Sequence, residues 1–111
     1  MTLINLTPHP ITLIQGELVT VYPKEPVPAR VSQQVTNSYV EDGILYEKIE
    51  FGPVSFLPAP VKNARYIVSA MVKSACPDRM DLVSPGELVR NSDGNIIGCK
   101  SFYYWHFSKT W

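Results

Sequence analysis

Three polar side chains near the start of the chain, those of Asn5, Thr7 and His9, have the types and spacing of a small binding row. Alternate residues of an extended backbone point to the same side, so an extended segment would place all three on one face. Pro8 and Pro10 bracket His9 and favour extended geometry around it. An imidazole can exchange a proton or a hydrogen bond near neutral pH. We therefore expect this polar row to line a ligand site; the alternative is a structural turn.

A second group that could bind a ligand follows later in the chain, where Arg79 lies between Asp78 and Asp81. A guanidinium can bind an anion while a neighbouring carboxylate orients it. If Arg79 reaches the polar row, the two groups together would suit a small anionic, nucleotide-like ligand. The alternative is a local ion pair between Arg79 and Asp81 that fixes the loop and binds nothing.

An enzyme is the second function class that these residues allow. His9 as a base and Asp81 as its orienting carboxylate could serve a small hydrolase of a nucleotide-like substrate. The sequence contains neither GxxxxGK[ST] nor GxGxxG, the glycine motifs that bind phosphates. Its cysteines and histidines have neither CxxC nor HxxxH spacing. We therefore expect no catalytic residues, no metal and no cofactor, and we favour a binding protein over an enzyme.

The chain ends in a densely aromatic stretch, residues 102–111, which we interpret as a C-terminal extension. Tyrosine and tryptophan are common anchors of protein interfaces, but the stretch could equally pack into the core of its own domain. The candidate partner-binding residues are Tyr103, Tyr104, Trp105, Phe107 and Trp111.

Charge and composition narrow the range of partners. Ten Lys and Arg residues balance ten Asp and Glu residues, which gives a formal net charge of zero. Broad binding to nucleic acid needs clustered basic residues, so we do not expect it. Zero net charge favours self-association, so a homo-oligomer is among the expected forms. No apolar run approaches the ~18 residues of a membrane span, and the first residues do not resemble a leader. The predicted location is the cytoplasm, without a membrane partner.

The elements that must position these residues are short. Runs of β-branched residues, separated by ten prolines and six glycines, predict a mostly-β single domain over residues 1–111. A small barrel and a two-layer sandwich both satisfy this pattern. One short helix is predicted over Ala70–Cys76, ended by Pro77. Glycine turns predict hairpins around Gly16 and around Asp93-Gly94.

The middle of the chain is predicted as several short strands. Leu45, Ile49 and Phe51 share one face at a period of two residues, with Glu47 interrupting them. Polar residues predict a loop, and Gly-Pro predicts a turn. The expected order is a strand over 29–35, a loop over 36–41, a tight turn at 42–43, a strand over 44–51, a turn at 52–53 and a returning strand over 54–57.

Four stretches together resemble a known family: residues 5–10 (NLTPHP), 66–69 (YIVS), 77–90 (PDRMDLVSPGELVR) and 94–99 (GNIIGC). The family is one of short uncharacterised bacteriophage and bacterial proteins with an N-terminal NLTPHP motif. The resemblance covers most of the chain up to Ser101. It implies a setting in a bacteriophage-infected or bacterial cell, where small accessory proteins commonly act by binding.

These observations together favour a non-enzymatic, phage-type accessory protein that acts by binding. In one version it captures a small anionic ligand, and in the other it blocks a host defence protein through the aromatic extension. The alternatives are the small hydrolase and a structural or assembly protein. The candidate ligand-binding residues are Asn5, Thr7, His9, Arg79 and Asp81.

Overall fold

A computed structural model describes residues 1–104, which form two four-stranded sheets, a separate two-stranded ribbon and one short helix, α1 (Ala70–Ala75). The strands are β1 (Thr2–Asn5), β2 (Ile11–Gln15), β3 (Leu18–Tyr22), β4 (Arg30–Glu41), β5 (Ile44–Ser55), β6 (Ala64–Ile67), β7 (Leu82–Pro85), β8 (Leu88–Arg90), β9 (Ile96–Cys99) and β10 (Phe102–Tyr103). The mostly-β prediction is confirmed. The arrangement is consistent with a two-layer sandwich, and within residues 1–104 no sheet closes into a barrel.

The first sheet has the strand order β1-β6-β7-β10. Its first three strands are parallel, and β10 runs antiparallel to β7. Parallel neighbours need a crossover, and α1 lies within the one that joins β6 to β7. The helix begins after Ser69, whose Oγ accepts a 3.2 Å hydrogen bond from the backbone N–H of Val72. The predicted helix is therefore present, and Pro77 follows its end.

The second sheet has the order β3-β2-β9-β8 and contains both predicted hairpins. Gly16 has a φ of +63° in the loop between β2 and β3, which suits the glycine position of a two-residue hairpin turn. Leu13 and Cys99 pair across β2 and β9 and are both buried, so they mark the inward face of this sheet. Residues at alternate positions, such as Ile14 and Gly98, lie on its outward face.

Strands β4 and β5 form a long antiparallel ribbon, which we call the arm. Each strand has twelve residues, and the Asp42-Gly43 turn joins them with φ angles of +54° and +77°. Two successive positive φ angles define the type I′ turn that matches the twist of paired strands. The predicted tight turn is present. The loop predicted before it and the turn predicted at 52–53 are strand in the structure.

The predicted loop over 36–41 is wrong, because these residues continue β4. The predicted turn at Gly52-Pro53 is also wrong, since both residues lie inside β5, and no separate strand over 54–57 returns to pair with it. The pairing shifts at this point, between Val31 and Gln33 of the opposite strand. Such a bulge tolerates a proline, which lacks the N–H that a regular strand position requires.

The hydrophobic core lies between the first sheet, the helix and the base of the arm. Val31 and Val54, which pair across β4 and β5, pack against it and anchor the arm. The radius of gyration is 16.7 Å, compared with ~13 Å for a compact domain of this length, because the rest of the arm stands away from the body. The core side chains are Leu6, Ala29, Tyr66, Val68, Val72 and Leu82.

Within residues 1–104, the helix is too short to cross a membrane.

Candidate functional site

The polar row at the start of the chain is largely occupied by its own hydrogen bonds. Asn5 Nδ2 donates to the carbonyl oxygens of His9 at 2.8 Å and Tyr22 at 2.9 Å. Asn5 Oδ1 accepts a hydrogen bond from the backbone N–H of Thr7 at 2.9 Å and contacts Thr7 Oγ1 at 2.7 Å. Asn5 and Thr7 are buried, with 2% and 6% of their surface exposed. Their polar atoms therefore hold the turn together and join it to β3.

His9 differs from Asn5 and Thr7 in its exposure and in the atoms that form its hydrogen bonds. The chain bends over residues 7–9 instead of staying extended, and His9 is exposed. The hydrogen bonds that hold His9 use its backbone atoms, and its carbonyl oxygen also lies 2.8 Å from Thr7 Oγ1. The three residues meet in one cluster, but it has two buried members and one exposed member, rather than one shared ligand-facing side.

Arg79 and Asp81 form a closed ion pair. Arg79 Nε donates to Asp81 Oδ1 and Arg79 Nη2 donates to Asp81 Oδ2, both at 2.8 Å. Nη2 also donates to the carbonyl oxygen of Pro58 at 2.9 Å. The hydrogen bonds to Asp81 raise the pKa of the Arg79 guanidinium above its ordinary value. The carboxylate is buried, so the pair fixes the loop after α1 against residue 58.

The structure keeps these two predicted groups apart. Asn5 ends β1, whereas the carbonyl oxygen of Asp81 accepts from the backbone N–H of Tyr66 on the far side of β6. Among the described residues, no hydrogen bond or ion pair joins Arg79 or Asp81 to the polar row. The hydrolase alternative required His9 and Asp81 to meet, and it gains no support from this placement.

Neither the surface grooves nor the metal-ligating side chains of the described residues mark the predicted ligand site. Three grooves of about 340, 350 and 660 Å³ are each lined by residues other than the five ligand-binding candidates. Over residues 1–104, His, Cys, Asp and Glu side chains nowhere gather in a group of three that could hold a metal ion.

Two buried titratable groups lie outside these candidates. Burial raises the pKa of the Cys99 thiol and lowers that of the Lys73 ammonium, and Lys73 Nζ lies 3.4 Å from the carbonyl oxygen of Tyr103.

The aromatic extension begins as part of the first sheet. Phe102 and Tyr103 form β10, and the Phe102 ring meets the Tyr22 ring edge to face at 5.9 Å. Tyr103 and Tyr104 are 53% and 55% exposed. The other partner-binding candidates, Trp105, Phe107 and Trp111, lie outside the described residues.

An ordered set of exposed apolar side chains lies on one face of the arm. Val40 pairs with Leu45, and Val35 pairs with Ile49, so each pair shares a face. Alternation along β5 places Leu45, Ile49 and Phe51 on that same face. We call these five residues the apolar stripe; the Ser38–Glu47 pair lies on the same face and divides it into two parts. Their exposed fractions are 52% for Val35, 68% for Val40, 57% for Leu45, 47% for Ile49 and 47% for Phe51.

The apolar stripe leads out from the body of the protein. At the base of the arm, Val31 and Val54 pack against the core. One step outward, Gln33 pairs with Phe51 and donates from Nε2 to the Met71 sulfur of α1 at 3.6 Å. Beyond that step the body no longer covers the arm, and the stripe faces solvent along the rest of its length.

The opposite face of the arm has a different character. The Tyr39 and Tyr46 rings stack there with centroids 5.2 Å apart and planes 17° apart. Lys48 and Glu50 also lie on this face, with a 3.9 Å ion pair between two exposed side chains. Ile44, beside the turn, is the exposed aliphatic residue of this face. Tyrosine hydroxyls and charges are stable in water, so the ribbon is amphipathic and the stripe side is the more apolar one.

Sequence spacing predicts three of the five residues of this stripe, because Leu45, Ile49 and Phe51 share one face at a period of two residues. Val35 and Val40 are five residues apart, so simple alternation assigns them to opposite faces. A shift in pairing between Val35 and Asn37 restores both to one face, and a bulge of this kind carries no clear sequence signal.

Comparisons with known proteins supply no relative for this chain: no family model, no curated protein and no solved structure matches it.

Proposed function

We propose that this chain is a non-catalytic accessory protein that works by binding another protein through the arm. The observation that carries the proposal is the apolar stripe, whose five side chains remain about half exposed or more. A two-stranded ribbon alone is at best marginally stable in water, and clustered exposed apolar side chains typically mark an interaction site. A partner that covers the stripe would stabilise the ribbon and remove its apolar side chains from water.

The charge of the arm favours a protein partner over the other surfaces. Between residues 31 and 54 there are four acidic residues, Glu41, Asp42, Glu47 and Glu50, and one basic residue, Lys48. The net charge of this segment is therefore −3. Nucleic acids and anionic lipid surfaces would repel such an arm. A protein surface with apolar side chains and some basic rim suits it.

The small-ligand version receives less support from the geometry. The polar atoms of Asn5 and Thr7 are hydrogen-bonded within the turn, and the charge of Arg79 is paired with that of Asp81. The bacteriophage setting and a host defence protein as the target stay predictions that the resemblance implies.

Site-specific photo-crosslinking tests the proposed function. A photoreactive amino acid replaces Leu45 in one variant and Ile44 in the other, and each variant is illuminated in the cells that express it. The two positions are neighbours with similar exposure, 57% and 55%, but they lie on opposite faces of β5. We expect a covalent protein adduct from position 45 and little from position 44, with the adduct identified by mass spectrometry. Equal yields from both positions, or none from position 45, would contradict the proposal.

A further inference from the structure

A second apolar surface is present on the body of the protein. On the second sheet, Val19 pairs with Ile14, and Val21 lies two residues further along β3, so all three share the outward face. Val19 and Val21 are each 56% exposed, although the residues on the inward face at Leu13 and Cys99 are buried. We call Ile14, Val19 and Val21, with Val89 beyond them, the outer face.

The outer face continues across β9 at Gly98. Gly98 pairs with Val89, and the Ile14 side chain covers it, since Ile14 Cδ1 lies 2.9 Å from where a Gly98 Cβ would be. Thr12, which pairs with Val21, also lies on this face. A β surface rich in valine and isoleucine side chains is the kind on which a second β layer packs at ~10 Å.

We propose that the partner of the arm is a second copy of this chain, and that the two copies exchange arms. Each apolar stripe would lie on the outer face of the other copy, which buries both apolar surfaces at once. The proposal rests on the proposed function, since it names the protein that the arm binds. Such a twofold exchange is closed and would leave no stripe uncovered.

Charge complementarity supports the second copy as the occupant. Because the whole chain has zero net charge and residues 31–54 carry −3, the remainder carries +3. Glu47 interrupts the stripe, and Arg90 follows Val89 at the border of the outer face. An acidic arm on a basic body gains attraction in the exchanged pair, whereas two acidic arms packed on each other would repel.

The available area leads to the same choice. Beyond Gln33 and Phe51 the arm is about eight residues, or ~27 Å, long and about 10 Å wide, so its free face offers roughly 270 Å². Two arms packed only on each other would bury ~540 Å² in total, which is the size of a crystal contact. Exchange pairs each arm with a sheet and doubles this to ~1,100 Å², above the ~1,000 Å² that a specific interface needs.

Analytical ultracentrifugation of the purified 111-residue chain tests the proposal with two matched pairs of variants. Leu45→Asp changes the stripe and Ile44→Asp changes the opposite face of β5. Val19→Asp changes the outer face and Leu18→Asp, at a 62% exposed residue, changes the other side of β3. We expect a wild-type dimer of twice 12.5 kDa. The first member of each pair should weaken dimerisation by about 100-fold or more, because it buries an unpaired charge, and the second should leave it unchanged.

Mixing the two disrupted variants shows that they fail by contact and not by unfolding. A Leu45→Asp copy retains an intact outer face, and a Val19→Asp copy retains an intact arm, so the mixture should form a heterodimer with one sound interface. A monomeric wild type at every concentration would overturn the exchange, as would a dimer that only Leu45→Asp disrupts. Neither result would contradict the proposed function, because photo-crosslinking at position 45 could still identify a different protein.

Discussion

At the scale of single residues, the structure assigns Asn5 a supporting role. Its side chain makes contacts with residues 7, 9 and 22, and only 2% of its surface is exposed. Removing a buried side chain of this kind leaves several backbone groups without partners.

Asn5→Ala is therefore expected to lower the free energy of unfolding by about 2–4 kcal/mol, measured by urea denaturation. His9→Ala should change it by less than about 0.5 kcal/mol, because the side chain is exposed. Comparable losses from both variants would show that the imidazole also supports the turn.

The sequence shows that Asn5, Thr7 and His9 are polar and regularly spaced, but it does not reveal whether they face a ligand or hold a turn. An asparagine two residues before a threonine is compatible with a ligand-facing row and with an Asx turn, in which the side chain binds the backbone ahead of it. The choice depends on whether β1 continues past Asn5. It ends there because its partner β6 ends at the matching position, Ile67, which sequence spacing alone does not reveal.

At the scale of elements, local pairings were predictable and distant ones were not. The hairpins at Gly16 and Gly94 and the turn at Asp42-Gly43 are determined by neighbouring residues with positive φ. The parallel pairings of β1 with β6 and of β2 with β9 join residues far apart in sequence, and no local pattern marks them. The full length of β4 is not predictable from sequence, because the polar residues of the arm resemble a loop when no burial pattern accompanies them.

The parallel contact of β2 with β9 depends on Gly98. An alanine Cβ there would meet the Thr12 carbonyl oxygen at 2.7 Å and the Ile14 side chain at 2.9 Å. We expect Gly98→Ala to lower the free energy of unfolding by about 1–3 kcal/mol, because the strands must move apart. Gly94→Ala is the comparison: it has open space but a φ of +83°, so about 1 kcal/mol is expected from strain alone. A harmless Gly98→Ala, measured by the same denaturation, would show that β2 and β9 can separate at little cost.

At the scale of the whole molecule, the chain divides its charge and its apolar surface between two parts. The arm is acidic and apolar on one face, while the body has a basic excess and an apolar outer sheet face. The overall composition hides this division, because the acidic charges of the arm and the basic charges of the body cancel. Sequence reasoning could therefore expect self-association from zero net charge, but not the surfaces that would produce it.

Arm exchange also predicts how thermal stability depends on protein concentration. Association stabilises the native state by mass action, so the Tm of a dimer rises as the chain becomes more concentrated. For a domain of this size, about 3 °C per tenfold increase in concentration is expected by differential scanning calorimetry. Ile44→Asp should show the same slope as the wild type, whereas Leu45→Asp should show none. A wild-type Tm that does not change with concentration would mean that the arms contribute nothing to stability, which is incompatible with an exchanged interface of ~1,100 Å².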